Sequence, residues 1–131
     1  ALETGMRQGE ILRIKRENIN DKSLFIPVAK TKPRKIPLTA KALEILNNVV
    51  LPFELSGMAV SKQFNKLCKF YNIKDARFHD LRRQALTNFM KDKKLTVAET
   101  MYISGHSDPR MLLSVYNNLK CEDISDKINS N

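Results

Sequence analysis

The chain has 131 residues and carries 23 Lys and Arg against 14 Asp and Glu, which gives a formal net charge of +9 at pH 7. This length fits one domain with a modest core, and no apolar run is long enough to span a membrane, so we expect a single soluble domain. The positive charge favours a polyanionic partner, most commonly nucleic acid. A lysine-rich surface that serves only solubility is the alternative.

Several kinds of site are excluded by what the sequence lacks. Cys68 and Cys121 lie far apart, and neither has a CxxC or His-Cys neighbour, so we predict no disulfide, no metal site and a reducing, cytoplasmic setting. There is no GxxxxGK[ST] phosphate loop and no carboxylate cluster that would hold two metals. We therefore expect any phosphodiester chemistry to proceed without metal or other cofactor. The first residues resemble chain interior, which indicates a piece of a longer protein.

In the first half of the chain, helical periodicity predicts a helix over residues 1–15 and a turn over 18–21. Two short strands are predicted over 23–28 and 35–38, joined by a basic hairpin tip that contains Lys30, Lys32 and Arg34. The tip either contacts a phosphate backbone or is a solvated turn, and composition does not separate the two. Thr39 is expected to cap the next helix, which stops before Pro52.

The next predicted helix starts at a Ser61 cap and carries an apolar stripe. The stripe consists of Phe64, Leu67, Cys68 and Tyr71. Lys62 and Lys66 lie on the other face, where they contact phosphates or simply face water. A helix over 75–91 should bury Phe78, Leu81, Ala85, Leu86 and Phe89, with His79, Arg82 and Arg83 beside that stripe.

A helix over 95–104 should end at Gly105 in a left-handed conformation, and Ser107 or Asp108 should cap a last helix. Beyond Leu119 the chain is polar and aperiodic, which predicts a mobile tail or an arm that packs on a partner. The predicted fold class is α+β and mainly α, with a small antiparallel β-hairpin between the first and second helices. Residues 1–119 form the domain and residues 120–131 form the tail.

Two pairs of residues are candidates for chemistry. His79 and Arg82 are three apart on a predicted helix, so an imidazole and a guanidinium can reach one anion, with Tyr116 as the group that they serve. Arg7 and Glu10 are also three apart, and the simplest interpretation of this second pair is an ordinary intrahelical ion pair.

The sequence also resembles a known family. The resemblance rests on Thr4-Gly5-Met6-Arg7-Gln8-Gly9-Glu10-Ile11, a lysine in a β-turn, His79-Asp80-Leu81-Arg82, Ser104-Gly105-His106 and a downstream Tyr116. In this order and spacing the chain, from Thr4 to Leu119, resembles the catalytic domain of the tyrosine recombinases, which include phage-type integrases and Xer-like recombinases. Ser104 replaces the more usual Leu, which we interpret as a packing change, and Tyr116 lies one residue further from His106 than in most relatives.

The resemblance implies a set of functional residues. The implied catalytic residues are Arg7, Lys30, His79, Arg82, His106 and the nucleophile Tyr116, with Glu10 supporting the site and Lys32 as the alternative to Lys30. The implied DNA contacts are Lys32, Arg34, Arg83, Lys62 and Lys66. In this scheme the arginines bind the phosphate, His79 accepts a proton, His106 donates a hydrogen bond, and the lysine protonates the leaving oxygen.

By the same resemblance the protein is a bacterial or phage-encoded, nucleoid-associated enzyme that cleaves and rejoins double-stranded DNA. It would do so through a 3′-phosphotyrosyl intermediate, without metal or ATP, as a tetramer on DNA. The alternatives are a type IB topoisomerase-like strand transferase, a degenerate recombinase fragment kept for protein contacts, and a non-catalytic helix-turn-helix module formed by 95–119. In the helix-turn-helix case Arg7, Lys30 and Tyr116 would have no reason to converge.

Overall fold

The computed structural model describes residues 1–27, 32–116 and 121–130, and for 115, 116 and 121–123 it describes the backbone alone. The helices and strands, in chain order, are α1 (Gln8–Leu12), β1 (Ser23–Ile26), β2 (Arg34–Pro37), α2 (Ala40–Asn47), α3 (Gly57–Phe70), α4 (Phe78–Lys91), α5 (Val97–Ser104), α6 (Arg110–Tyr116) and α7 (Cys121–Asn129). The predicted fold class, mainly helical with one antiparallel hairpin between the first two helices, is confirmed.

The hairpin buries one face of each strand. In the antiparallel register Leu24 pairs with Ile36 and Ile26 pairs with Arg34. Leu24, Ile26 and Ile36 are buried, as the two-residue period of a strand requires when one face meets a core. Both strands were predicted, but β2 begins at Arg34, a residue earlier than expected. Arg34 therefore lies on the buried face together with Ile36.

The first predicted helix is mostly absent. Only Gln8–Leu12 are helical, and the preceding residues form turns in which Gly5 has a φ of 67°. A left-handed residue cannot continue a right-handed helix, so Gly5 separates residues 1–4 from α1. The strained position also brings the Gly5 backbone against α4, where its carbonyl accepts a hydrogen bond from Arg82 at 2.7 Å.

Helix caps were predicted with mixed success. The Thr39 hydroxyl accepts from the Ala42 amide at 3.0 Å, and Gly105 ends α5 with a φ of 75°, as expected. The Ser61 cap is wrong because α3 begins a turn earlier, where Ser56 accepts from the Ala59 amide at 3.1 Å. Asp108 does accept from the Arg110 amide at the start of α6, at 2.9 Å.

The apolar stripe predicted on α3 is only partly covered. Cys68 is buried, but Leu67 and Tyr71 are exposed. The helix meets α1 on one side, and the ring of Phe64 packs edge-on against Phe78 with centroids 5.7 Å apart. These contacts cover one edge of the stripe and also fix the start of α4.

Helix α4 links two groups of core residues. It begins at Phe78 rather than at 75, because Asp75 has a φ of 59° that helical geometry excludes. Leu86 and Met90 pack with Leu112 of α6. A second cluster beside the sheet is larger and consists of Met6, Ile14, Leu24, Ile26, Ile36, Leu46 and Ile103. The helix that carries Arg82 is thus held by the helix that ends at Tyr116.

Part of the predicted polar tail is helical: Cys121–Asn129 form α7, in which Ile124 and Ile128 are exposed and spaced one helical turn apart. The sequence pattern did not predict this helix, because its composition is polar and only two isoleucines show the helical period. Of the helices in the described ranges, none combines the length and apolarity that crossing a membrane requires.

Substitution at Gly5 should expose the cost of its conformation. An added Cβ would lie 2.9 Å from Leu86 Cδ2, and the substituted residue would also have to adopt the left-handed backbone conformation. We expect Gly5→Ala to lower the free energy of unfolding by at least about 1–2 kcal/mol, measured by urea denaturation. Gly9→Ala is the matched control, because Gly9 lies in α1 with its nearest neighbouring atom 3.9 Å away. That variant should be neutral or slightly stabilising, and equal losses for both variants would contradict the account.

Candidate active site

Arg7 and Arg82 meet at one backbone oxygen. The carbonyl of Ser104 accepts from Arg7 Nη1 at 3.3 Å and from Arg82 Nη2 at 2.9 Å. Arg7 is the N-cap of α1 and Arg82 lies on α4, so residues separated by most of the chain reach the same atom. The interpretation of Arg7 and Glu10 as only a local ion pair is therefore incomplete: that pair is long, at 4.0 Å.

The end of α5 explains why the arginines gather there. The last carbonyls of a helix have no partner within it, and the helix dipole places partial negative charge at the same end. Because Gly105 turns the chain away, the Ser104 and Ile103 carbonyls are left open to side chains. Ile103 accepts from Arg34 Nε at 2.9 Å. Three guanidinium groups thus satisfy this one terminus.

Arg34 does not lie where the sequence analysis placed it. It was predicted to contact DNA from the hairpin tip, but it is 7% exposed and forms a two-bonded ion pair with Glu10, at 2.7 and 3.0 Å. Glu10 also accepts from the Arg7 amide at 3.0 Å. Burial alone would raise the pKa of Glu10, but the hydrogen bonds from Arg34 and Arg7 outweigh it, so the pKa is lowered. Arg34 is a structural residue in this structure.

Neutral groups hold Arg82 beside Ser104. Arg82 is 3% exposed, and its side-chain acceptors among the described residues are the Gly5 and Ser104 carbonyls and the His106 ring. Burial and then the nearby Arg7 lower the pKa of Arg82 to about 10, while Glu10 opposes the shift. The guanidinium stays charged at neutral pH, and the neighbouring charge of Arg7, which Glu10 offsets only in part, favours a bound anion.

His106 adjoins the two arginines. Its Nδ1 lies 2.7 Å from Ser104 Oγ, and Arg82 Nη2 lies 3.5 and 3.4 Å from its two ring nitrogens. Partial burial and then the charges of Arg82, Arg7, Arg34 and His79 lower the pKa of His106 to about 4. The imidazole is therefore neutral at neutral pH and carries a single N–H.

The remaining predicted catalytic residues are His79, Tyr116 and a lysine of the β1–β2 connection. His79 is exposed on the first turn of α4, near enough to His106 for its charge to lower the pKa of that ring. Tyr116 is the last residue of α6, described by its backbone. Lys30 lies outside the described residues, whereas Lys32, on the same connection between the strands, is exposed.

The other predicted DNA contacts are on the surface. Arg83 on α4 and Lys62 and Lys66 on α3 are all exposed. Lys62 lines an open cleft of about 560 Å³ between α1 and α3, together with Gln8, Gly57, Met58, Ser61 and Asn65. Arg82 and His106 do not line this cleft.

Sequence reasoning missed the roles of two residues. Ser104 was interpreted as a packing change, but its carbonyl and hydroxyl contact three site residues. For Ser104 the sequence signal was a serine in the last turn of a helix, next to Gly-His. A serine hydroxyl at such a position can hydrogen-bond to neighbouring backbone groups. For Arg34 the signal was the strand period, which puts it on the face of Ile36.

Comparison with known proteins found relatives that are named integrases or recombinases. The chain is 35% identical over 126 residues to a putative integrase/recombinase of Haemophilus influenzae, an alignment that covers 88% of this chain and 41% of that protein. It is 30% identical over 138 residues to the shufflon-specific DNA recombinase of Escherichia coli, covering 99% of this chain and 36% of that one. The chain thus spans well under half of these relatives. No model of a known protein family matches it.

Among solved structures, the Tn1549 transposon integrase in complex with transposon right end DNA superposes with a TM-score of 0.80 at 16% identity. That alignment covers 97% of this chain and 55% of that one. The fold is therefore that of the catalytic domain of DNA integrases and recombinases. Together with the sequence relatives, this confirms the resemblance to the tyrosine recombinase, or phage integrase, family that was inferred from the sequence motifs.

The buried Glu10–Arg34 pair yields a prediction about stability. Arg34→Met leaves the buried Glu10 carboxylate without its main partner, which should lower the free energy of unfolding by about 3–5 kcal/mol in urea denaturation. Arg34→Lys should recover little of this loss, because an ammonium cannot reproduce the two-bonded geometry and the Ile103 contact.

Lys35→Met is the control, since Lys35 is adjacent on β2 and exposed. Its free energy of unfolding should change by less than about 0.5 kcal/mol. If Arg34→Met instead kept wild-type stability and lost only affinity for DNA, the original interpretation of Arg34 as a DNA contact would be restored.

Proposed function

We propose that the chain cleaves and rejoins DNA strands by transesterification, with Tyr116 as nucleophile. The observation that carries the proposal is the meeting of Arg7, Arg82 and the Ser104–His106 pair at the end of α5. A non-catalytic helix-turn-helix module formed by α5 and α6 has no need for an arginine from α1 at that point. The sequence relatives, which are named integrases or recombinases, support the same activity.

The chemistry requires cations because a phosphodiester repels nucleophiles and gains charge on its equatorial oxygens in the transition state. The guanidinium groups of Arg7 and Arg82 can each donate paired N–H groups to non-bridging oxygens. Neutral carbonyls hold them in place, so their charge remains for the substrate. Glu10, the nearest carboxylate, is already bound to Arg34.

In the proposed reaction the Tyr116 oxygen attacks the scissile phosphorus as the bond to the 5′-oxygen breaks. The tyrosine proton has to leave, because a phenol of pKa about 10 is protonated at neutral pH. We assign its acceptance to His79, and we assign to His106 the donation of a hydrogen bond to the phosphate. A lysine of the β1–β2 connection, Lys30 or Lys32, protonates the departing 5′-oxygen, and attack by another 5′-hydroxyl reverses the reaction.

Double-stranded DNA is the proposed substrate. The net charge of +9 and the exposed Lys32, Lys62, Lys66 and Arg83 fit contacts to the phosphate backbone, which position a duplex without reading its sequence. Assembly as a tetramer on DNA is a further proposal, made from the family resemblance. The exposed isoleucines of α7 offer an apolar surface for such contacts.

A nicked suicide substrate tests the nucleophile. The nick lets the short fragment that carries the new 5′-hydroxyl diffuse away, so the wild-type protein should accumulate a covalent DNA adduct that survives denaturing electrophoresis. Tyr116→Phe should form none, because it lacks the attacking oxygen, and should still bind the same DNA with an unchanged salt dependence.

Tyr102→Phe is the matched control, since Tyr102 is an exposed tyrosine on α5, and it should form adduct at the wild-type level. An adduct that persists in Tyr116→Phe would exclude this nucleophile. Salt-dependent binding with no adduct from any of the three proteins, tested in the longest form of the protein, would favour the helix-turn-helix module.

A further inference from the structure

The side chain of Ser104 has no assigned role, yet it is completely buried beside the reacting groups, with 0% exposure. Its Oγ lies 2.7 Å from His106 Nδ1, 3.2 Å from the His106 amide nitrogen and 3.3 Å from the Met101 carbonyl oxygen. A hydroxyl has one proton to donate and two lone pairs to accept with. Which neighbour receives that proton determines what His106 can do.

The surrounding hydrogen bonds favour donation to the histidine. The amide of His106 is a donor and occupies one lone pair of Oγ. The Met101 carbonyl already accepts from the Gly105 amide at 2.9 Å, so it does not depend on the more distant hydroxyl. The 2.7 Å separation from Nδ1 is typical of a strong hydrogen bond to oxygen, and the 3.3 Å separation from Met101 is long for one.

Arg82 does not compete for a specific ring nitrogen. Its Nη2 is 3.5 Å from Nδ1 and 3.4 Å from Nε2. The lone pairs of the two ring nitrogens point in different directions, so one donor at nearly equal distance from both is aligned with neither. Among the described side chains, Ser104 is thus the group placed to decide which nitrogen carries the proton.

We propose that Ser104 is a positioning residue, whose hydroxyl donates to Nδ1 of His106 and thereby keeps the proton of the neutral imidazole on Nε2. The inference rests on the proposed function, in which His106 donates a hydrogen bond to the scissile phosphate. Only the form protonated on Nε2 presents an N–H at that edge. The opposite tautomer would present a lone pair to a phosphate oxygen and repel it.

The lowered pKa of His106, to about 4, is consistent with this role. Burial is its main cause, and the charges of Arg82, Arg7, Arg34 and His79 add to it. A positively charged imidazole would have an N–H on both nitrogens and would need no help from Ser104. Because the ring is neutral, the choice between its two nitrogens becomes decisive.

Nitrogen-15 NMR of the histidine ring in the DNA-free protein tests the assignment directly. At pH 7 the wild-type protein should show a proton on Nε2 and a lone pair on Nδ1 of His106. Ser104→Ala should give a mixture of the two tautomers, and Ser104→Thr, which retains the hydroxyl, should restore the wild-type pattern. A wild-type proton on Nδ1 would overturn the inference, whether or not the protein cleaves DNA.

Single-turnover cleavage of the nicked substrate gives a second measurement. Ser104→Ala should slow adduct formation roughly tenfold, the effect of losing one orienting hydrogen bond. His106→Gln supplies an N–H near the Nε2 position without needing the hydroxyl. In that background Ser104→Ala should therefore cause no further loss, and a repeated tenfold loss would show that Ser104 does not act through the His106 ring.

The two measurements separate this inference from the proposed function. If the wild-type protein forms no adduct, but NMR places the proton on Nε2 and Ser104→Ala gives a mixture of tautomers, the hydroxyl sets the tautomer and the proposed reaction is wrong. If the adduct forms through Tyr116 while Ser104→Ala changes neither the tautomer nor the rate, the proposed reaction stands and the role of Ser104 is refuted.

Discussion

The site depends on the C-terminal end of α5, where a helix runs out of internal hydrogen-bond partners. The carbonyls of Ile103 and Ser104 receive three guanidinium groups, from Arg34 on β2, Arg7 at the start of α1 and Arg82 on α4. A helix terminus is a suitable organising point because its carbonyls need donors and its dipole attracts positive charge. One element therefore fixes the relative positions of three others.

The three arginines differ in their distance from Glu10. Arg34 is paired with this carboxylate inside the protein, whereas Arg7 is 4.0 Å from it. The partners of Arg82 among the described residues are the Gly5 and Ser104 carbonyls and the histidine ring. If the carboxylate were free, it would neutralise the arginines to which the proposed function assigns a phosphate. The buried pair thus stabilises the fold and also preserves the positive charge of the site.

Much of the fold could be predicted from local signals, because Thr39, Gly105 and the apolar positions of α4 act within one or two helical turns. The interruption of the first predicted helix could not, since the left-handed Gly5 is required by the Leu86 side chain of a distant element, which an added Cβ would approach to 2.9 Å. The same limit applies to the site. Sequence motifs located Arg7, Arg82 and His106, but Arg34 and Ser104 acquire their roles from partners that only tertiary structure supplies.

The central claim is that Arg7 and Arg82 serve the charge of a single phosphate. A suicide substrate with a methylphosphonate at the scissile position tests it most directly, because one charged oxygen is replaced by a neutral methyl group. The account predicts that Arg7→Ala, a change at a half-buried residue, slows single-turnover cleavage of the phosphate by about 10²–10³-fold but that of the methylphosphonate by less than about tenfold. Equal losses on both substrates would contradict it.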